Sequence, residues 1–116
     1  MEFDSNKPIY LQIMDSFFNR ILAAELNEED RVPSVRELGA DIGVNPTTVA
    51  RAYEKLTDLG VIYNKRGIGY YVAAGAREAI LADERKRFLD EELPAVAEKA
   101  ALLGIKKEQI LKTFNI

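Results

Sequence analysis

The chain has 116 residues and a net charge of −3, and it contains no cysteine and no histidine. This length fits one domain, or one compact domain with an appendage, and the 47% apolar content is that of a protein with a buried core. The absence of cysteine excludes disulfides, thiolate zinc sites and thiol nucleophiles. The first residues lack a secretory leader pattern, and no apolar run approaches the roughly 18 residues of a membrane span. We therefore expect a cytoplasmic protein with no membrane partner.

A first helix is predicted after Pro8, because the apolar residues recur at spacings of three and four: Ile9, Ile13, Met14, Phe17, Ile21 and Leu22. The acidic segment Asn27–Arg31 is predicted to be a loop. Ser34 stands three residues before Glu37, which is the capping-box signature of a second helix. This helix is expected to end at Gly43 and to turn three apolar residues inward: Val35, Leu38 and Ile42.

A third helix is predicted from Asn45 and Pro46, an N-cap residue followed by a proline in the first turn. Gly60 lies just past its expected end. Its buried stripe is predicted to be Val49, Ala52 or Tyr53, Leu56 and Leu59. The opposite face then presents four polar side chains: Thr47, Thr48, Arg51 and Lys55.

Two β-prone runs, Val61–Tyr63 and Tyr70–Val72, flank a basic segment in which Gly67 and Gly69 permit a turn. They predict a hairpin after the third helix. Two short helices with a tight turn, followed by a basic hairpin, are typical of a winged helix-turn-helix that places a helix in the major groove of DNA. The window 43–72 holds four Lys/Arg against two Asp/Glu, so it is locally basic within an acidic chain.

Residues 76–116 are predicted to form a helical tail with an apolar strip that begins at Ile80 or Leu81. Pro94 either kinks the first tail helix or starts another, and a last helix is predicted at Lys106–Phe114. A tail this short has little to pack on, so we expect it to pair two copies of the chain. The side chains expected at that interface are Leu81, Phe88, Leu89, Leu93 and Val96.

The runs PSVREL at 33–38, GVNPTTVARAYEKLTDLG at 43–60 and the KRGIGYYV hairpin resemble the winged-helix domain of the GntR family of bacterial transcription regulators. PIYLQI at 8–13 matches the usual start of that domain, and the short tail is most similar to the YtrA subfamily. The resemblance implies a mainly α fold with a small β-hairpin. In this fold a winged helix-turn-helix domain, residues 1–75, is followed by a short helical dimerisation tail, residues 76–116.

The resemblance also implies a homodimeric repressor that binds double-stranded DNA at an inverted repeat. Arg36 matches a family arginine that contacts phosphate or a base edge, the paired threonines match the front of the recognition helix, and Arg66 and Gly67 match the wing tip. Together with the two cap residues and the neighbouring cations, the expected DNA-binding residues are Ser34, Arg36, Asn45, Thr47, Thr48, Arg51, Lys55, Lys65, Arg66 and Gly67.

Two departures from the family pattern limit the transfer of its base-reading scheme. Pro46 and Ala50 stand where larger subfamilies often carry arginines, so Arg51 is expected to take over part of that work. The acidic segment Glu28–Asp30 replaces the usual glycine-containing turn. Without this context, Arg51 could equally be a solvated surface charge, and Arg36 could pair with a neighbouring acid.

The alternative function is a winged-helix protein-interaction module without sequence-specific DNA binding. An enzyme is not expected, because without histidine or cysteine a general base would have to be a carboxylate or a lysine. The acid clusters at 83–84 and 90–92 alternate with cations, which is typical of a solvated helix face. We expect no metal and no cofactor, and no small-molecule effector bound within a dedicated domain.

Overall fold

The computed structural model describes residues 2–115 of the chain. Their contacts divide between Leu81 and Ala82 into two compact units, which we call the winged-helix unit and the tail unit. This division lies inside a helix and six residues beyond the boundary predicted between residues 75 and 76. The reason is that Ala76 and Ile80, at the start of the first tail helix, are buried in the core of the winged-helix unit.

Three helices build most of the winged-helix unit: α1 (Ile9–Leu22), α2 (Val35–Ile42) and α3 (Pro46–Asp58). The helix α3 packs against both α1 and α2. Ala52 and Tyr53, which the periodicity left as alternatives, are both fully buried, together with Val49 and Leu56. Each large apolar side chain buried in this way contributes about 1.5–3 kcal/mol to folding, so α3 is held firmly at the centre of the unit.

The predicted hairpin is confirmed as the strands β1 (Ile62–Lys65) and β2 (Gly69–Val72). They pair antiparallel, from Ile62 opposite Val72 to Lys65 opposite Gly69. The fold class is therefore as predicted, mainly α with one small antiparallel hairpin.

The acidic segment before α2 differs from the predicted loop. Its backbone pairs with β2: the Glu29 N–H donates to the Val72 carbonyl at 2.8 Å, and the Val72 N–H donates to the Asp30 carbonyl at 2.9 Å. Arg31 forms an isolated bridge with Tyr71. This segment therefore adds a short edge to the hairpin. Glu29 has φ +69°, the left-handed conformation in which glycine is usual, so it keeps the geometry of a glycine turn.

After the hairpin the chain forms α4 (Ala76–Arg87), a π-helical turn (Phe88–Glu92), α5 (Leu93–Leu102) and α6 (Lys107–Phe114), and the first six residues of α4 belong to the winged-helix unit. In the π turn the Leu93 N–H donates to the Phe88 carbonyl, five residues back. Pro94 follows in the first turn of α5, where it has no N–H to donate. The helical backbone that continues from α4 thus widens for one turn just before Pro94, and α5 starts directly after this turn. None of the helices within residues 2–115 combines the length and hydrophobicity that a bilayer crossing requires.

Candidate nucleic-acid interface

The turn between α2 and α3 is tight, and it depends on two glycines. Gly43 ends α2 with φ +68°, and the Val44 N–H donates to the Gly39 carbonyl at 2.9 Å. At Gly39 a Cβ atom would lie 2.8 Å from the Val44 carbonyl oxygen, so any side chain there would force the turn to shift. The close approach sets where α3 begins relative to α2.

Both helices start with a side-chain cap, as the sequence predicted. The Ser34 hydroxyl accepts from the Glu37 N–H at 3.1 Å, and the Ser34 N–H donates to the Glu37 carboxylate at 3.1 Å. The Ser34 N–H that donates to the carboxylate, together with the Ser34 hydroxyl, holds the pKa of Glu37 below its ordinary value. At α3 the Asn45 side-chain oxygen accepts from the Thr47 N–H at 2.9 Å. Ser34 and Asn45, both expected to bind DNA, therefore fix the starts of α2 and α3.

Tyr53 connects α3 to the segment before α2. Its hydroxyl donates to the Pro33 carbonyl at 2.6 Å, and its ring packs edge-on against Phe17 and Tyr70, with centroids 5.6 and 5.0 Å away. Burial raises the pKa of Tyr53 well above its ordinary value, so the hydroxyl stays protonated and keeps donating. The orientation of α3 is thus set by apolar packing and by this hydrogen bond.

The outer face of α3 presents the residues predicted for it. Thr47, Arg51 and Lys55 are exposed and Thr48 is half-buried, while Arg36 is exposed on α2. The first half of α3, Pro46–Arg51, carries a cation and no carboxylate; its two acids, Glu54 and Asp58, come later. This half is also the positive end of the helix dipole, which favours anions.

Arg51 makes a contact that the sequence did not reveal. Its guanidinium carbon lies 4.0 Å from the centre of the Tyr10 ring in α1. The two residues are 41 positions apart in the chain, and no local pattern relates them. We call the outer face of α3 the α3 surface. Through this contact the first turn of α1 adjoins the α3 surface.

The hairpin turn exposes three neighbouring residues expected to contact DNA: Lys65, Arg66 and Gly67. Gly67 has φ +78°, which favours glycine, and Lys65 lies over the outward-facing Tyr71 ring, with its Nζ 5.2 Å from the ring centre. Arg31 was not predicted here. Its guanidinium packs against the backbone of Gly69, with Nε 3.4 Å from where a Cβ would lie, and so it adds a cation to the base of the hairpin.

The acids of the segment before α2 are engaged in structural hydrogen bonds. All three carboxylates accept one: Glu28 from the Gly75 N–H at 2.9 Å, Glu29 from the Tyr63 hydroxyl at 2.5 Å and Asp30 from the Asn27 N–H at 2.8 Å. The bond to Glu29 raises the pKa of Tyr63. Glu28 therefore joins this segment to the residue before α4 and Glu29 joins it to the hairpin, whereas the Asp30 bond lies within the segment.

Residues 9–72 match the pattern of the family described as bacterial regulatory proteins, gntR family. This match spans more than half of the chain and contains α1, α2, α3 and the hairpin. The chain belongs to the GntR family. It is accordingly a transcriptional regulator with a DNA-binding helix-turn-helix domain, and its relatives and fold are those of regulators rather than enzymes.

Two bacterial relatives match over nearly the whole chain. The HTH-type transcriptional regulator YhcF of Bacillus subtilis is 40% identical over 118 residues, covering 98% of this chain and 95% of YhcF. The HTH-type transcriptional repressor YtrA of the same organism is 33% identical over 106 residues, covering 91% of this chain and 81% of YtrA. The likeness to the YtrA group predicted from the sequence is thus confirmed.

Two solved structures share the fold. A GntR-family regulator from Bacteroides thetaiotaomicron superposes with a TM-score of 0.78 at 43% identity, covering 92% of this chain and 93% of that one. The DNA-binding domain of AraR, solved in complex with the operator ORR3, superposes with a TM-score of 0.55 at 27% identity. It covers 63% of this chain and 86% of the AraR chain. The GntR regulator matches both units, and the AraR domain matches about two thirds of the chain.

Proposed function

We propose that the protein is a homodimeric repressor that binds an inverted-repeat operator, with α3 in the major groove and the hairpin on the adjacent groove or backbone. The observation that carries the proposal is the first half of α3. It is capped at Asn45 and free of carboxylates, and its outer face exposes Thr47 and Arg51. Threonine hydroxyls and arginine guanidinium groups are donors suited to base edges and phosphates.

The hairpin supports the proposal as a second contact. Lys65 and Arg66 are exposed next to Gly67, whose missing side chain lets the backbone approach a phosphate closely. Phosphate contacts position a protein on the duplex, whereas base contacts select the sequence. We therefore assign sequence selection to α3 and positioning to the hairpin and Arg36. The AraR domain, which shares the winged-helix fold, was solved on an operator, and this agrees with the assignment.

The tail unit supports the homodimer. Among its described residues Ala100 is the one buried hydrophobic side chain, while Phe88, Leu89 and Val96 are 46, 60 and 54% exposed. A helical segment that buries so little apolar surface requires a partner. A groove of about 430 Å³ beside Phe88 and Leu89 is bordered by charges of both signs: Glu84, Arg85 and Glu92. A surface with both charge signs can pair with a copy of itself across a two-fold axis, which favours a second copy of the chain as the partner.

Repression follows from the size of such a complex. A dimer on two half-sites about one helical turn apart, roughly 10 bp, covers enough duplex to exclude other proteins from a promoter. The relative YtrA is itself named a repressor. A protein that acts on the bacterial chromosome works in the cytoplasm, where we place it.

A salt titration tests the proposal. Full-length protein is first used to select binding sites from a library of random duplexes, and its affinity for the consensus duplex is then measured from about 50 to 200 mM salt. The affinity should fall steeply, because each neutralised phosphate contributes a slope of about −0.9 in the log–log plot. The consensus should also be a two-fold repeat. A module that binds other proteins would instead yield no consensus, and its weak DNA binding would be the same for every duplex.

A further inference from the structure

We infer that Tyr10 is a specificity-determining residue that positions the guanidinium of Arg51 for reading DNA. The inference rests on the proposed function, and it deepens the role assigned to α3. Its basis is the stack of the Arg51 guanidinium on the Tyr10 ring, at 4.0 Å from the ring centre. This is well within the roughly 6 Å over which a cation is attracted to an aromatic face.

The stack leaves the donors of Arg51 available. The guanidinium carbon lies over the ring face, and attraction to that face leaves the five N–H donors of the arginine without an oxygen acceptor. The ion pairs among residues 2–115 do not include Arg51: they join Lys7 with Asp15, Arg20 with Glu25, and Arg87 with Asp83 and Glu84. Arg51 is therefore held by an aromatic face rather than neutralised by a carboxylate, and it keeps its charge for a ligand.

Positioning matters because a free arginine has many rotamers. An exposed arginine side chain loses conformational entropy when it is fixed in one geometry, and bidentate contact with a guanine needs one geometry. A ring that already restricts the guanidinium lowers that cost and limits which base edge it can reach. Tyr10 is half-buried at the start of α1 and packs against the core, so the ring itself is fixed.

The test compares Tyr10→Phe, which keeps an aromatic face, with Tyr10→Leu, which keeps apolar packing but has no such face. Binding sites are selected from random duplexes with each full-length variant and with Arg51→Ala. Affinities are then measured for the wild-type consensus duplex and its single-base-pair variants. Thermal denaturation verifies that each variant is folded at the assay temperature.

Arg51→Ala should relax the preference at one base pair per half-site. Tyr10→Leu should lower discrimination at that same pair by about two- to fivefold, the size of an exposed cation–π contact, and leave the other positions unchanged. Tyr10→Phe should behave as wild type. In the double substitution, Tyr10→Leu should have no effect beyond that of Arg51→Ala, because its target is gone.

Several outcomes would overturn the inference. If Tyr10→Phe loses as much as Tyr10→Leu, the hydroxyl acts on DNA directly. If Tyr10→Leu sharpens discrimination, the stack withholds Arg51 from DNA, and if the two effects add, the residues act independently. In these three cases the proposed role of Arg51 in reading a base pair still stands. If Arg51→Ala itself leaves the selected sequence unchanged, the proposed role of Arg51 fails together with the inference.

Discussion

Gly39→Ala is expected to destabilise the protein even though alanine is the better helix former. Gly39 is buried in α2, and a Cβ there would lie 2.8 Å from the Val44 carbonyl oxygen and 3.6 Å from the Pro46 Cγ. The Val44 oxygen is backbone, in a turn closed by the 2.9 Å bond from the Val44 N–H to the Gly39 carbonyl. No side-chain rotation relieves this contact, so the turn or the start of α3 must move.

Two opposing terms set the magnitude. Replacing glycine by alanine inside a helix stabilises it by about 1 kcal/mol. Overpacking a well-packed site costs about 1–3 kcal/mol, and we take the upper half of that range because the clash is with backbone. The net result is a loss of about 1–2 kcal/mol in the free energy of unfolding.

Urea unfolding at one fixed protein concentration measures this loss, and the neighbouring residue supplies a matched control. Ala40 is exposed in the same helix, so Ala40→Gly reports helix propensity alone and should cost about 1 kcal/mol. Both substitutions should lower the free energy of unfolding, although Gly39→Ala raises helix propensity and Ala40→Gly lowers it. A Gly39→Ala protein at least as stable as wild type would refute the reasoning, since the turn would then accommodate a methyl group freely.

Three further predictions concern the tail, the α3 surface and the α2 cap. Leu89→Glu should sediment as a monomer. The control Ile68→Glu also places a charge on an exposed apolar residue, but in the hairpin turn, and it should remain a dimer. If the Leu89→Glu protein is still a dimer, Leu89 does not lie in the interface. Arg51→Ala should cost about 1–3 kcal/mol of operator binding and relax the sequence preference at one position per half-site. Arg66→Ala should weaken binding to all duplexes equally and lower the salt slope by about 1. If the two variants behave alike, the assignment of sequence selection to Arg51 and of positioning to Arg66 is wrong. The pKa of Glu37 is lowered in the folded chain, so the ionised Glu37 carboxylate stabilises the fold. This contribution is fully present above the unfolded pKa near 4.5, and it is lost as pH falls through the folded pKa. Thermal midpoints measured from about pH 7 to about pH 3 should therefore depend less on pH in Glu37→Gln than in wild type, and equal slopes would contradict the capping role.

The features of the fold that could be predicted are those encoded by neighbouring residues. The pairs Ser34 with Glu37 and Asn45 with Pro46 act within one helical turn, so their spacing alone located the starts of α2 and α3. The hairpin was equally local, because glycines mark its turn. Glu29 is the contrast: its φ of +69° is unusual for a glutamate, and hydrogen bonds to β2 and to Tyr63 hold that segment in place.

The candidate site was predictable as a face of α3 but not in its contacts. Helical spacing gave the exposed positions, while the stack of Arg51 on Tyr10 and the packing of Arg31 against Gly69 join residues distant in sequence. Such contacts depend on how elements pack, which periodicity does not encode. The tail illustrates the same point, since Pro94 predicted a disturbance of the helix but not whether it would take the form of a kink, a break or a π turn.

The π turn also bears on how the length of the tail can vary. It is the geometry of one extra residue accommodated within an α-helix, so its backbone bond joins residues five apart, as the Leu93 N–H and the Phe88 carbonyl do. Loss of one residue within 88–92 would restore the four-residue spacing and leave α5 facing the same way. Loss of one residue inside α5 would instead rotate everything after it by about 100°. Gaps in alignments of related tails are therefore expected at this turn, where a change in length does not exchange apolar and charged faces.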